Sequence, residues 1–313
     1  MNYGMPYKGS KNRIAPWIIE HLPEADNLYD LFGGGGAITH CAALSGKYKT
    51  IHYNDIQSGL TNTFKKAVNG EYKDYSTWIS REDFFNSDDI FVKMIYSFGN
   101  NCKDYMYSPQ IEPWKKAFHY AVLFKDYSYF KEFGIEISSD KTDTKERRLD
   151  TARKIKANHE DYKQKYIKWY LEKYNDERIK ERKLQSLQSL ESLERLQSLQ
   201  SLERLERLQS LENLERLESI KYYEQSYDEF EIPENSVIYC DIPYKGTNKY
   251  LNEFDYEKFY KWACEQKVPI FISEYDMPSD KFEVVVEKEK SVSLCATTTG
   301  KAIEKIFIPI KEK

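Results

Sequence analysis

The stretch from residue 28 to residue 55 constrains the fold of this chain most. A short apolar run, LYDLF, breaks into four consecutive glycines, and a helix-like stretch follows as far as Leu44. A second apolar run, TIHYND, comes next and ends in an acid. Strands that alternate with helices in this way are typical of a parallel sheet whose faces are covered by helices. The sequence therefore predicts an α/β fold.

Further strand-like runs extend this pattern. The run DIFVKMIYSF, residues 89–98, predicts a third strand, and SVIYCD and VPIFISEY predict two more, with a helix between them over residues 254–265. The last runs, FEVVVEKEK, SVSLCATT and KAIEKIFIPI, follow one another without a helix. We expect them to form an antiparallel hairpin at the edge of the sheet.

Composition and charge exclude several classes of protein. The net charge of 313 residues is −4, so any contact with nucleic acid has to come from a local patch of positive charge. Five cysteines and five histidines show no CxxC or metal-ligand spacing, which favours reduced thiols in a cytosolic protein and no metal site. We expect neither a signal peptide nor a membrane span, because no run of about 18 apolar residues occurs.

A local patch of positive charge lies in the middle of the chain. Residues 141–183 hold 15 Lys or Arg against 9 Asp or Glu, a local net charge of +6, with tyrosines and a tryptophan between them. The pattern predicts helices and no strand. Lysines and arginines in such a segment would contact phosphates, which positions a protein on DNA without reading its sequence. The alternative is a solvated helix face.

A tandem repeat follows directly, over residues 184–219. Leucine recurs there at every third position, twelve times in all. Each leucine falls about 60° behind the previous one on an α-helix, so the leucines spiral round the helix and form no lasting apolar face. We expect an extended helical or partly disordered insertion, and not a leucine-rich-repeat solenoid, which needs about 20 residues per unit. An oligomerisation arm and a tolerated loop expansion are both open.

The glycine turn and the acid of the second strand together predict a nucleoside site. Glycines after a first strand let the backbone approach a ligand closely, and the N-terminus of the next helix adds a positive dipole. Asp55, at the end of the second strand, can accept hydrogen bonds from ribose hydroxyls. The spacing is not GxGxxG and no Walker lysine follows, which favours neither a dinucleotide nor a triphosphate. A plain tight turn is the alternative.

The segment VIYCDIPYKGT, residues 237–247, is an apolar strand-like run that ends in an acid, a proline and a tyrosine. The strand should place Asp241 beside the glycine turn, in the crevice where open α/β sheets bind ligands. Pro243 keeps Ile242 extended, which would aim the Ile242 carbonyl and the Asp241 carboxylate at one point. Two acceptors suit an amino group with two hydrogens, and Tyr244 offers a flat face to a planar base. The alternative is a turn with a capping Asp.

Three motifs in this order resemble those of the Dam-like, D12 class of N6-adenine-specific DNA methyltransferases. DIPY, residues 241–244, resembles the DPPY motif of amino-group DNA methyltransferases. FGGGG, residues 32–36, resembles their S-adenosylmethionine motif, and PYKGSK, residues 6–11, resembles the N-terminal segment of the Dam-like enzymes. The resemblance covers roughly residues 1–110 and 225–313. One departure is Ile242, which replaces the usual first proline at a position that contributes a backbone carbonyl.

The resemblance implies a Rossmann-like S-adenosylmethionine-dependent methyltransferase fold. Its mixed seven-stranded sheet would end in an antiparallel hairpin and be interrupted by a helical insertion. The expected division is residues 1–120 and 221–313 for the methyltransferase domain, 121–183 for a basic helical region that recognises DNA, and 184–220 for the repeat.

The resemblance also implies roles for individual residues. A target adenine, flipped out of the duplex, would stack on Tyr244, while Asp241 and the Ile242 carbonyl hold its amino group for direct attack on the methyl group. Tyr7 and Lys11 should contact the methionine end of the cofactor, and Asp55 its ribose. The predicted catalytic residues are Asp241, Ile242, Pro243 and Tyr244; the cofactor-binding residues are Tyr7, Lys11, Phe32, Gly33, Gly35, Asp55 and Asp241; the DNA-binding residues are Arg147, Arg148, Arg153 and Lys154; no metal is expected.

Several alternatives stay open at this stage. The same chemistry could act on the N4 amino group of cytosine, or the chain could be a catalytically weak relative that binds DNA. A structural protein built round the leucine repeat would lose its function when residues 184–219 are deleted, whereas the enzyme would keep it. The expected partners are double-stranded DNA and a cognate restriction endonuclease, with no membrane, in the cytoplasm of a bacterium or a phage-infected cell.

Overall fold

The computed structural model describes residues 3–72, 75–174, 219–244, 254–295 and 298–311, with the backbone alone between residues 290 and 301. The leucine repeat up to residue 218 and the last nine residues of the basic region therefore lie outside the described residues. The chain forms two compact units. The first consists of Met1–Lys73 and Arg207–Lys313, and the second of Asp74–Glu206.

The first unit is built on a seven-stranded mixed sheet. Its strand order is β3-β2-β1-β4-β5-β7-β6. β1, β2, β3, β4 and β5 run parallel, and β7 pairs antiparallel with both β5 and β6. The strands are β1 (Asn27–Asp30), β2 (Thr50–Asn54), β3 (Ile220–Tyr223), β4 (Ser236–Asp241), β5 (Ile270–Glu274), β6 (Phe282–Cys295) and β7 (Thr298–Pro309).

This sheet confirms the predicted Rossmann-like fold and its C-terminal antiparallel hairpin. The runs FEVVVEKEK and SVSLCATT, expected as separate strands, belong to the single long strand β6 as far as Cys295. β6 lies at the edge of the sheet, and β7 lies between it and β5.

Helices flank the sheet of the first unit and account for most of the described residues of the second. Those of the first unit are α1 (Ala15–His21), α2 (Ala37–Ser45), α3 (Leu60–Val68) and α10 (Tyr256–Cys264). Those of the second are α4 (Arg81–Asn86), α5 (Ile90–Ile95), α6 (Glu112–Phe124), α7 (Ser128–Glu132), α8 (Thr144–Ala157) and α9 (His159–Lys173). Among the described residues, no helix has both the length and the apolar character that crossing a membrane requires.

The predicted helix after the fourth strand is confirmed as α10. The Asp255 carboxylate caps it by accepting a hydrogen bond from the backbone N–H of Lys258 at 2.9 Å. Phe259, Tyr260 and Ala263 are buried on one side of this helix. They join an apolar cluster on the sheet that contains Ile238, Ile270 and Ile272.

The predicted third strand, residues 89–98, is wrong. The segment forms the helix α5, and the Asp89 carboxylate caps it by accepting a hydrogen bond from the Phe91 N–H at 2.8 Å. Phe91, Val92, Met94 and Ile95 are buried, which is the spacing of one helix face rather than the alternation of a strand. The third strand of the chain is β3, which pairs parallel with β2.

The second unit begins at Asp74, well before the boundary predicted at residue 121. The predicted helical character of the basic region is confirmed by α8 and α9. Its interleaved aromatic residues mostly build the core of this unit: Tyr162, Tyr166 and Tyr170 are buried on α9. Tyr166 makes edge contact with Trp114 of α6, with ring centroids 5.3 Å apart.

Candidate active site

Three acids gather where β2, β1 and β4 end. Asp30 is the last residue of β1, and its register partners are Tyr53 on β2 and Tyr239 on β4. Asp55 and Asp241 each lie two positions beyond those partners, so they follow Asp30 at the same edge of the sheet. The parallel register therefore brings together two acids that the sequence predicted and one, Asp30, that it did not.

The glycine turn packs beneath the N-terminal segment of the chain. A Cβ at Gly35 would lie 2.7 Å from the Cβ of Tyr7 and 2.8 Å from the Met5 carbonyl oxygen. The Met5 N–H donates to the Gly35 carbonyl at 2.6 Å. Gly36 has a φ of +71°, and a Cβ there would lie 2.3 Å from the ring of Phe64. The turn thus needs glycine so that this segment and an aromatic ring can approach its backbone.

Asp55 holds this turn from the second strand. Its two carboxylate oxygens accept backbone hydrogen bonds from Gly34 at 2.9 Å and from Gln57 at 2.8 Å. The Gln57 side chain in turn accepts a hydrogen bond from the Tyr7 hydroxyl at 3.0 Å. Burial raises the pKa of Asp55, and the two backbone hydrogen bonds oppose this effect. A carboxylate has about four lone-pair positions, so Asp55 keeps capacity for hydroxyl donors.

Asp30 is a buried acid, and only one of its two carboxylate oxygens accepts hydrogen bonds from the described residues. Its side chain is 1% exposed, and Oδ2 accepts hydrogen bonds from the Thr39 N–H at 3.2 Å and the Thr39 hydroxyl at 2.7 Å. Oδ1 has no hydrogen-bond partner within the described part of the chain. Burial raises the pKa of Asp30 to about 7, with the charge of Asp241 adding to the effect and the bonds from Thr39 opposing it. An unmatched buried acceptor of this kind suits a cationic donor.

The DIPY segment continues directly from β4. Ile242 is 2% exposed and belongs to the apolar cluster on the sheet, so its side chain is accommodated in the core. The Pro243 carbonyl accepts a hydrogen bond from the Tyr256 hydroxyl of α10 at 2.8 Å. Tyr244 packs edge-on against Tyr275, with ring centroids 4.5 Å apart. The side chain that departs from the DPPY pattern is therefore buried in the core, and the hydrogen bond from Tyr256 anchors the backbone of the turn.

The predicted cofactor residue Lys11 lies at this tetrapeptide. Its ammonium contacts Oδ1 of Asp241 at 2.5 Å and lies 4.7 Å from the centroid of the Tyr244 ring. A second carboxylate, that of Glu304 on β7, lies 3.6 Å from the same ammonium and accepts a hydrogen bond from the Tyr244 hydroxyl at 2.5 Å. Lys11 is 4% exposed and Glu304 is fully buried.

The charges of this cluster determine its protonation. Burial alone lowers the pKa of Lys11, but the negative charges of Asp241 and Glu304 outweigh it, and the pKa lies above its ordinary value. Burial, followed by the same two carboxylates, raises the pKa of Tyr244. The tyrosine hydroxyl is therefore a donor and the lysine a cation at neutral pH.

Phe32, the first residue of the predicted cofactor motif, packs into an aromatic group. Its ring stacks on Tyr227, with centroids 5.5 Å apart, and meets Phe254 and Phe259 edge-on at 5.8 Å. Gly33 donates its N–H to the Asn54 carbonyl at 2.8 Å, which ties the turn to the end of β2.

The four predicted DNA-binding residues all lie on α8 but differ in environment. Arg147 is buried, and its guanidinium donates to the carbonyls of residues 121–123 at the C-terminal end of α6. Lys154 donates to the Ser138 carbonyl and pairs with Asp150 at 3.0 Å. Arg148 and Arg153 are exposed. These two have the surroundings that a phosphate contact needs, whereas the charge of Arg147 stabilises a helix end.

Sequence reasoning missed Asp30 and Glu304. Asp30 interrupts the apolar run LYDLF, and Glu304 interrupts KAIEKIFIPI, where the residues on its face are otherwise buried or partly buried. An acid inside a buried strand was the signal available in both cases. In the described part of the chain, no group of three or more His, Cys, Asp or Glu side chains is arranged to hold a metal ion.

Comparison with known proteins agrees with this geometry. None of the curated protein sequences matches the chain. Residues 7–298 match the D12 class N6 adenine-specific DNA methyltransferase family, so the match includes the glycine turn, the three acids and the DIPY tetrapeptide. The chain therefore belongs to the D12 class of N6 adenine-specific DNA methyltransferases.

Proposed function

We propose that this chain transfers a methyl group from S-adenosylmethionine to the N6 amino group of a flipped-out adenine through Asp241, Ile242, Pro243 and Tyr244. The observation that supports this assignment is the contact of a cation with both Asp241 and the Tyr244 ring. Together Asp241 and Tyr244 offer a partly buried carboxylate acceptor beside an aromatic face, which is what an amino group on a planar base requires.

The residues of the glycine turn fit the methyl donor. S-adenosylmethionine supplies, when bound, an electrophilic methyl group. Its cationic amino group matches Oδ1 of Asp30, which has no hydrogen-bond partner among the described residues, and its ribose hydroxyls match the lone pairs that Asp55 retains. Tyr7 covers the turn, while Phe32, Gly33 and Gly35 shape it. Lys11, which the resemblance assigned to the methionine end, contacts Asp241 in this structure and is better placed to act on the target base.

In this proposal, Asp241 acts directly on the amino group of the base. Its carboxylate accepts one amino hydrogen, and the Ile242 carbonyl accepts the other, which raises electron density on the nitrogen. The nitrogen lone pair forms a bond to the methyl carbon as the bond from that carbon to sulfur breaks. The nitrogen then loses one proton, which the Asp241 carboxylate accepts. Positioning and electrostatic stabilisation account for the catalysis.

The second unit supplies candidate contacts to double-stranded DNA. Arg148 and Arg153 are exposed on α8 and would bind phosphates, with Arg147 acting only through the fold and Lys154 held by Asp150. A cytoplasmic location and a cognate restriction endonuclease stay predictions from the resemblance.

The test is transfer of labelled methyl groups to unmethylated genomic DNA by the purified full chain. The DNA is digested to nucleosides, and the labelled base is identified. Label on N6 of adenine is the expected result. Label on N4 of cytosine would overturn the choice of base but keep the chemistry, whereas binding of S-adenosylmethionine without any transfer would overturn the assignment of DNA as substrate.

A further inference from the structure

Glu304 is a buried carboxylate in a strand that should be apolar on that face. Ser273 of β5 pairs with both Asp241 of β4 and Ile306 of β7. Since β7 runs antiparallel, Glu304 lies two positions further toward the end where Tyr244 follows Asp241. A fully buried carboxylate is costly unless other groups compensate its charge. Two groups that compensate it are the Tyr244 hydroxyl at 2.5 Å and the Lys11 ammonium at 3.6 Å.

The Lys11 ammonium thus pairs with two carboxylates and lies closer to one of them than to the other. Its ammonium is 2.5 Å from Asp241 and 3.6 Å from Glu304. It also lies 4.7 Å from the centroid of the Tyr244 ring. The ammonium therefore uses the acceptor and the aromatic ring that the proposed function assigns to the target base.

An incoming amino group that binds Oδ1 of Asp241 at the face of Tyr244 competes with this ammonium for the same position. Moving Lys11 into water would leave Glu304 buried with one fewer compensating charge. Moving it toward Glu304 keeps the ammonium paired, and the present separation of 3.6 Å leaves room for a closer contact.

We propose that Glu304 is a positioning residue, which takes over the Lys11 ammonium when the amino group of the target base occupies Asp241. In the absence of a base, Lys11 neutralises Asp241. When a base is bound, the Lys11–Glu304 pair stands beside it, and the Tyr244 hydroxyl stays fixed on Glu304. This inference rests on the proposed function of Asp241 and Tyr244.

Glu304→Gln tests the proposal, since it keeps the size of the side chain and an oxygen for Tyr244 but removes the charge that attracts Lys11. We expect kcat for DNA methylation to fall at least about tenfold, with the KM for S-adenosylmethionine within about twofold of wild type. Glu274→Gln is the matched control, because Glu274 is another buried glutamate, at the end of β5, whose carboxylate accepts the N–H of Tyr275. It should keep kcat within about twofold.

Two further variants separate the pairing from other roles. If Glu304 acts through Lys11, Glu304→Gln should cost less than about twofold in kcat when added to Lys11→Met. A further tenfold loss in that background would overturn the proposal. Tyr244→Phe should lose less activity than Glu304→Gln; an equal loss would mean that Glu304 acts only through the tyrosine hydroxyl.

The remaining outcomes distinguish this inference from the function on which it rests. Wild-type enzyme that labels no DNA overturns the proposed function, and the inference with it. An active wild type with an unaffected Glu304→Gln variant overturns the inference alone. So does a Glu304→Gln variant that loses kcat, cofactor affinity and its unfolding midpoint together, since that result would show a structural role.

Discussion

The Lys11 ammonium and Oδ1 of Asp241 lie 2.5 Å apart, although 230 positions of the chain separate the two residues. Replacing Asp241 with Ala should reduce methylation by about 10²–10³-fold or more, because the amino group loses its charged acceptor. Lys11 keeps Glu304 as a partner, so we expect the free energy of unfolding to fall by about 1–2 kcal/mol, less than for a buried charge left alone. Label transfer and urea unfolding measure the two effects. Near-normal turnover would remove Asp241 from the mechanism.

Asp30 should make the cofactor-free enzyme less stable as the pH rises. Its folded pKa of about 7 exceeds the ordinary value of 3.8, so the folded state binds the proton more tightly. The stability contributed by this proton is present below pH 4 and is lost as the pH rises through 7. Asp30→Asn should therefore raise the free energy of unfolding at pH 8 by about 2–4 kcal/mol. If Asp30→Asn is less stable than wild type at pH 8, the ionised Asp30 carboxylate does not destabilise the folded enzyme.

The same variant should bind S-adenosylmethionine less well. Only the ionised carboxylate attracts the cationic amino group, so wild-type affinity should fall below pH 7 by about tenfold per pH unit. Asp30→Asn should bind more weakly at pH 8 and lose this pH dependence. Calorimetric titration at several pH values measures both. An unchanged affinity at pH 8 would place the cofactor elsewhere.

Charge reversal on α8 should distinguish phosphate contacts from structural cations. Arg148→Glu combined with Arg153→Glu should weaken DNA binding and reduce the slope of log K against log salt by about 2, because two exposed cations are lost. Titration with DNA between about 50 and 200 mM salt measures the slope. Arg147→Met is the control, since its guanidinium bonds to backbone carbonyls. It should lower the unfolding midpoint and keep the slope; an unchanged slope in the double variant would contradict the assignment.

Lys115 of α6 should destabilise the second unit at neutral pH. It is 4% exposed, and its ammonium has no hydrogen-bond partner in the described parts of the chain. Burial lowers its pKa to about 8, so the full cost of its charge applies below pH 8 and disappears as the pH rises toward its ordinary value of 10.5.

Lys115→Met should therefore raise the free energy of unfolding at pH 7 by about 2–3 kcal/mol, with a smaller gain at pH 10. Lys131→Met, on the exposed surface of α7, is the matched control and should stay within about 0.5 kcal/mol of wild type. Urea unfolding followed by tryptophan fluorescence measures both. A loss of stability in Lys115→Met would show that an anionic partner accompanies this lysine.

Local patterns predicted the parts of the site that lie next to each other in the sequence. An apolar run that ends in an acid identified Asp55 and Asp241, because a parallel strand of buried residues leaves its first polar side chain at the ligand-binding edge. This pattern of an apolar run that ends in an acid did not identify Glu304. That residue reaches the site on an antiparallel strand, from the middle of an apolar run, and only the register of β7 against β5 shows where it lies.

The errors have an equally local cause. Residues 89–98 are rich in β-branched and aromatic side chains, which suit a strand. The segment forms a helix because Asp89 caps it and its apolar residues are buried at helical spacing. Arg147 resembled its basic neighbours in the sequence. Its position on the buried side of α8, against the end of α6, is a tertiary property that composition does not record.

The order of the strands has a consequence for synthesis on the ribosome. β1 pairs on one side with β2, which follows it closely, and on the other with β4, which begins at Ser236. The intervening unit, Asp74–Glu206, is translated in full while β2 still lacks its partner β3 and β1 its partner β4. Their unpaired edges are what chaperones protect in nascent chains. Glu304 lies on β7, which follows every other described strand in the chain, so the carboxylate that contacts Lys11 joins the site only after the rest of the sheet has been made.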